Sequence, residues 1–317
     1  MNIRLGLPMS ELELALGSVE PVPQVIALIK PPANPGVRSW QRYRSRFLDH
    51  LRISSGHQFM ATHAATLKAA EEQFGVPKEI IVSIIGVETV YGRNTGNFNV
   101  VAALATLAFD YPPRAELFRR ELESLFLLAH ERGVSALDFK GSYAGAIGLP
   151  QFLPSSIRAF AIDFDHDGVI NLRSSPADAI GSVASYLAQN GWQRGERITL
   201  RATLKPDAEI NTALEAGLLP SFSPSTLEQY GISAKDQAPH ETAALIDLVT
   251  PGHATEYWLG LKNFYVITRY NRSSFYAMAV NDLAEALKSP LVASMHHTPT
   301  HRPSKHAIRT KAHAHRR

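Results

Sequence analysis

Residues 77–96 read PKEIIVSIIGVETVYGRNTG, and this run constrains the fold more than any other stretch of the chain. Pro77 suits a first helical turn and Tyr91-Gly92 marks a stop, so the run predicts a helix. That helix is apolar nearly all round, and such a helix is stable only when other elements cover every face. The rest of the chain must therefore wrap around it. One residue disagrees with the burial: Glu88 shares a face with Ile81, Ile84 and Ile85 at three- and four-residue spacing. A desolvated carboxyl has a raised pKa and holds its proton near neutral pH, which makes it a general acid. The other reading at this point is a glutamate paired with Arg93 or with a helix-end amide.

The covering elements are mostly helical by pattern. Trp40, Tyr43, Phe47, Leu48 and Leu51 recur at helical spacing, and the periodicity extends to about Phe74. Further helices are predicted over 115–133, after a Tyr-Pro-Pro turn, over 176–191, and over 273–288. The texture changes after Trp192: ERITLRATL (196–204) alternates polar and apolar residues, and AALIDLV and NFYVITRY follow. These read as a small β-containing domain inserted into a helical protein. At 317 residues, 45% apolar and 19% charged, the chain has enough material for such a core.

Net charge is +3, yet residues after Lys288 carry six Lys/Arg, six of the thirteen histidines and no acid. The body is thus slightly acidic, which gives no reason to expect nucleic acid as a partner. The tail reads as a solvated, disordered segment. With no cysteine, disulfides, thiolate metal sites and a lipoprotein anchor are excluded for the chain as given. The first residues lack the marks of a secretory signal, and no stretch is long and apolar enough for a spanning helix.

DFDHDGVINL (163–172) places Asp163, Asp165 and Asp167 at positions one, three and five of a calcium loop, with Gly168 at the sharp turn and Val169 offering its carbonyl. Ser174 stands where the bidentate glutamate belongs, and Asp178 in the next helix is the expected substitute. The competing reading is an acidic surface loop without an ion. With a ligand from outside the loop, a calcium ion here reads as structural; no organic cofactor is indicated.

GSYAGAIGLPQFLPSS (141–156) combines three glycines, which allow close backbone approach, with the neutral hydrogen-bonding groups of Ser142, Gln151, Ser155 and Ser156. Neutral donors beside aromatic faces suit a sugar, and Tyr91, Phe152, Tyr186, Tyr270 and Tyr276 are candidate faces. Standard glycoside hydrolysis needs two carboxylates. These segments offer one, since Asp110 and Asp138 lie in turn or loop contexts.

Taken together, EIIVSIIGVETVYGRNTG, ALATLAFDYPPRAELF, FKGSYAGAIGLPQFLPSS, the acidic loop, DAIGSVASYLAQNGW and RYNRSSFYAMAV resemble the membrane-bound lytic murein transglycosylase B family over roughly residues 22–288. The resemblance implies a mainly α (α+β) protein: an N-terminal α domain (1–75), a lysozyme-like core (76–194 and 269–288) with an EF-hand-like calcium loop (163–178), a small β domain (195–268) and a basic tail (289–317). It implies Glu88 as the sole catalytic acid/base. It also implies substrate contacts at Ser142, Gln151, Tyr186, Tyr270, Asn271, Tyr276 and Arg114, where Pro113 replaces a second arginine common in the family. Calcium would be held by Asp163, Asp165, Asp167, Val169 and Asp178, in a loop one residue longer than usual.

The implied activity is cleavage of the β-1,4 bond between N-acetylmuramic acid and N-acetylglucosamine with formation of a 1,6-anhydro ring, a lyase reaction in which Glu88 is acid and then base. The implied partners are peptidoglycan strands and other cell-wall enzymes, the implied state a monomer and the implied location the periplasm. Two rivals remain at this point: a hydrolytic muramidase on the same bond, and a peptidoglycan-binding protein without activity.

Overall fold

The apolar run forms a helix over Lys78–Thr89 in the computed structural model, which describes residues 6–31, 36–236 and 240–289. In chain order the helices are α1 (Met9–Gly17), α2 (Pro23–Ile29), α3 (Trp40–Arg44), α4 (His50–Thr62), α5 (Ala64–Phe74), α6 (Lys78–Thr89), α7 (Val100–Asp110), α8 (Ala115–Arg132), α9 (Pro154–Phe160) and α10 (Pro176–Gln189). After them come α11 (Ile210–Glu215), α12 (Pro224–Gln229), α13 (Lys262–Tyr270) and α14 (Ser274–Lys288). The fold is mainly helical with a small sheet, as the sequence indicates.

α6 is covered by α4, α5, α10 and α14, so each face of it meets apolar side chains. Ile81, Val82, Ile84 and Ile85 have no exposed surface. Removing that much apolar area from water is the main term holding the helix in place, at about 1.5–3 kcal/mol for each large side chain. The larger apolar cluster runs on from α1 and α2 through α8 to Leu287 of α14. Side-chain caps define where several elements begin: Asp49 accepts from Arg52 N, Asn99 from Ala102 N, Ser175 from Asp178 N and Ser273 from Tyr276 N.

The helical stretch expected from Trp40 to Phe74 is divided into α3, α4 and α5, with Asp49 and His63 at the junctions. Trp40 N donates to Val249 O at 2.7 Å, which docks α3 on the end of a strand 209 residues later in the chain.

Two short strands, β1 (Phe98–Asn99) and β2 (Lys140–Gly141), pair antiparallel beside the core. The larger sheet, β3 (Thr199–Leu204), β4 (Ile232–Ala234), β5 (Ala244–Leu248) and β6 (Glu256–Gly260), is antiparallel in the order β4-β3-β6-β5. Leu200 and Leu245 both lie opposite Leu259 and face a second apolar cluster with Leu227 and Leu261. One sequence expectation is corrected here. NFYVITRY is rich in β-branched and aromatic residues and reads as a strand, but it is the helix α13, in which Phe264, Ile267 and Thr268 are buried at helical spacing. Its Asn263 donates to Gln193 O and Glu196 O and accepts from Gln193 N, contacts that a strand register would not direct to one loop. The strands of this sheet missed by periodicity are β4, ISA, and β6, EYWLG.

No described helix is long and apolar enough to cross a membrane. The basic tail from 290 onward lies outside the described residues.

Candidate active site and acidic loop

From Ile80 to Val90, Glu88 is the one residue that is not fully buried. The chain changes direction immediately after it: Val90 and Tyr91 have φ of 51° and 58°, and Gly92 has 90°. A β-branched residue in this region is strained by about 1–3 kcal/mol and persists only where its surroundings dictate it. The surroundings are on hand. Thr89 Oγ1 donates to Leu149 O at 2.9 Å and accepts from Gly92 N at 3.0 Å. The Tyr91 hydroxyl donates to Arg52 O at 3.0 Å, and Arg52 Nε donates to Gly86 O at 3.2 Å. A Cβ on Gly86 or Gly56 would lie 2.5 Å from the Tyr91 oxygen, so both glycines make room for that phenol. Tyr91 is thus a wedge between helices and not a sugar-facing ring.

Glu88 Oε1 accepts a hydrogen bond from the Tyr276 hydroxyl at 2.6 Å, a contact between α6 and the first turn of α14. Burial pushes the Glu88 carboxyl up to about 7, while the Tyr276 hydrogen bond acts in the opposite direction and is outweighed. The pairing with Arg93 or a helix-end amide considered from the sequence is not formed. No other carboxylate is among the causes of the Glu88 shift, and Asp110 and Asp138 are exposed. The arrangement is a single carboxyl poised to give or take a proton near neutrality.

Beside it stands an aromatic wall. Tyr276 stacks on Tyr270 with ring centroids 6.4 Å apart and planes at 13°; Tyr270 meets Tyr186 at 4.9 Å, and Phe152 packs against both at 5.7 and 5.5 Å. The hydroxyls of Tyr186 and Tyr270 donate to backbone carbonyls, of Arg269 and Pro150 respectively. Neither hydroxyl is therefore free, and of the two rings only Tyr270 is more than marginally exposed. Tyr43, which the sequence did not single out as a site residue, belongs to the same surroundings: burial and the charge on Glu88 raise its pKa, and Arg46 lowers it.

The 141–152 loop is built from its own backbone. Ser142 Oγ accepts from Ala144 N and Ala146 N at 3.3 and 3.1 Å, and Ser142 N donates to Ala146 O. Gln151 has a φ of 51°, and its Nε2 donates to Gly148 O at 2.9 Å and Thr95 O at 3.2 Å. Ser155 is committed to Glu121, a buried acid whose two oxygens take Ser155 N and Ser155 Oγ. Two expected site residues are not joined to the cluster. Arg114 is exposed with its guanidinium 5.4 Å over Phe118, and Asn271 is exposed with its backbone carbonyl taken by Ser273 N.

In the acidic loop, carboxylate oxygens of Asp163, Asp165 and Asp167 lie within 4.8 Å of one another. Asp163 accepts from Asp167 N and Gly168 N, and Asp167 accepts from Val169 N, which shapes the loop around the three acids. Asp178 is a correction. It is fully buried outside that cluster, with Oδ1 on Phe164 N at 2.8 Å and Oδ2 on Asn171 N at 2.7 Å, so it braces the two ends of the loop from behind. Backbone amides could not be foreseen as its partners from spacing alone.

Comparison with known proteins places these features in company. The sequence profile of the transglycosylase SLT domain matches residues 1–285. The membrane-bound lytic murein transglycosylase B of Escherichia coli (strain K12) is 43% identical over 260 residues, 82% of this chain and 70% of that protein. The catenated lytic transglycosylase SltB1 from Pseudomonas aeruginosa superposes with a TM-score of 0.85 at 47% identity, covering 91% of this chain and 94% of that one. The Escherichia coli lytic transglycosylase Slt35 in complex with calcium superposes with a TM-score of 0.80 at 39% identity, covering 91% and 90%.

Proposed function

The chain belongs to the transglycosylase SLT domain family and is a peptidoglycan lytic transglycosylase, and on that premise we propose that Glu88 alone serves as acid and then as base. The observation that supports this reading is the solitary, partly exposed Glu88 carboxyl, raised to about 7 and held by Tyr276. Protonated Glu88 gives its proton to the glycosidic oxygen as the bond to muramic acid C1 breaks. The N-acetyl group of the muramic acid stabilises the electron-poor C1. The Glu88 carboxylate then takes the proton of the same sugar's 6-hydroxyl as that oxygen bonds to C1, so the ring closes and Glu88 is protonated again. The nucleophile is intramolecular and benefits from a high effective concentration, and no water enters the product. The half-buried Tyr270, with Ser142 and Gln151, lines the strand, while the buried Tyr276 acts through Glu88, and a periplasmic location follows from the proposed substrate.

This reading predicts a descending pH limb near 7, where Glu88 loses its proton. In Tyr276→Phe, the bond that favours the carboxylate is gone, so the limb should move to higher pH and turnover should fall by about ten- to a hundredfold. Rates of soluble-fragment release between pH 5 and 9 check this. An unmoved limb with unchanged turnover would reject the Tyr276 role.

For the acidic loop, Asp163, Asp165 and Asp167 with the Val169 carbonyl suit a hard cation, consistent with the calcium in the Slt35 relative, and Asp178 holds the loop in shape. Calcium at about a hundred times its dissociation constant would add roughly 2.7 kcal/mol. A chain of this size should then melt about 5 °C higher with calcium than with chelator. The increment should vanish in Asp163→Ala/Asp167→Ala; a wild-type melting curve indifferent to calcium would remove the ion from the account.

A further inference from the structure

We propose that Arg42 and Arg46, with the edge of Arg38, form a pocket for a carboxylate of the peptide carried by muramic acid, making this region a determinant of which strands are cleaved. The inference rests on the Glu88 reading above and names a further part of the same substrate.

A cavity of about 260 Å³ opens beside α3, and its lining includes Arg38, Arg42, Arg46, Tyr43 and Phe275. No carboxylate is among its described lining residues. Several arginines elsewhere are committed to carboxylates: Arg44 to Asp282, Arg52 to Asp49, Arg158 to Glu131 and Arg201 to Glu256. Arg38 pairs with Asp247 at 3.1 Å and lies 4.4 Å over the Phe275 ring, which fixes one edge of the pocket. Among the described residues, Arg42 and Arg46 form no ion pair. Both are exposed, so the cost of holding them together without an anion is small, and an arriving carboxylate meets two unpaired guanidinium forks.

The position matters as much as the charge. Tyr43 lines the cavity, its phenol feels the charges of both Glu88 and Arg46, and its ring packs on Phe275 at 5.6 Å, one residue from Tyr276, which holds the Glu88 carboxyl. The pocket thus shares Tyr43 and Phe275 with the surroundings of Glu88, and on this proposal the muramic acid side chain of a strand held at Glu88 is directed towards it. The peptide on that sugar carries carboxylates, whereas the sugar's own lactyl carboxylate is free only when the peptide has been removed.

The test uses the full chain and three substrates: strands with free peptide carboxylates, the same strands with those carboxylates amidated, and strands stripped of peptide. Wild type should cleave the free-carboxylate strands with a kcat/KM about tenfold above the amidated ones, mostly through KM. In Arg42→Gln/Arg46→Gln, with an unchanged melting temperature, that ratio should fall towards one, and in Arg42→Lys/Arg46→Lys it should be partly restored. A wild type that cleaves both strands equally, or a double glutamine variant that keeps the ratio, overturns the pocket. A double variant whose loss is confined to stripped strands assigns the arginines to the lactyl carboxylate and overturns the peptide. If wild type yields no anhydro product from any strand, the Glu88 reading fails instead.

Discussion

Glu88→Gln should lower the release of soluble muropeptides by about a thousandfold or more while the protein still sediments with intact sacculi. Glutamine keeps the shape and can still meet the Tyr276 hydroxyl, but it neither donates a proton to the leaving oxygen nor accepts one from the 6-hydroxyl. The same substitution should change stability with a defined pH dependence. A carboxyl whose ordinary value is 4.5 and whose native value is about 7 is protonated in both states at low pH, and ionises first in the unfolded chain as pH rises. Native stability is therefore lost progressively between about pH 4.5 and 7 and stays lower above that window. Glutamine never ionises, so the variant should melt with wild type at pH 4 and above it at pH 8, by an amount of order 1–3 kcal/mol after allowing for partial exposure. Fragment release within tenfold of wild type would remove Glu88 from catalysis; a variant less stable than wild type at pH 8 would remove the desolvated carboxyl.

The second large effect is structural. Gly96 has a φ of 81°, and a Cβ there would lie 2.2 Å from the carbonyl oxygen of Gly141, where real Cβ atoms are not found. Gly96→Ala should thus force apart β1 and β2 at the root of the 141–152 loop, at a cost of about 3 kcal/mol or more. That corresponds to a melting temperature lower by about 5 °C, with activity lost in step as Ser142 and Gln151 shift. Gly252→Ala is the control: its φ is also positive, at 77°, but a Cβ there meets nothing within 4 Å. It should lose about 1 kcal/mol from conformation alone. Equal melting temperatures for the two variants would contradict the close approach.

Much of this was legible in the chain because periodicity and burial carry the signal. A helix that is apolar all round can only be central, and the odd carboxylate on it can only be costly or useful. The order of six motifs then brought the family into view. What remained hidden depends on residues far apart. Nothing near Glu88 in sequence points to Tyr276, 188 positions away, and the commitments of the Tyr186 and Tyr270 hydroxyls to backbone carbonyls arise only once α10 and α13 are packed. Asp178 was read by type and spacing as a ligand, yet buried carboxylates are as readily satisfied by backbone amides, and the choice between these is made by the path of the loop. NFYVITRY failed for a related reason. β-branched composition states what can pack well, and α13 packs those residues on one helical face.

The central claim is that one carboxyl closes a ring without water. Digestion of sacculi in water enriched in heavy oxygen tests it directly, with mass analysis of the new muramic acid ends. Ends that carry no heavy oxygen, and weigh one water less than a reducing end, are the predicted result. Ends that have gained a heavy oxygen atom would show that water attacks C1, and would contradict the account.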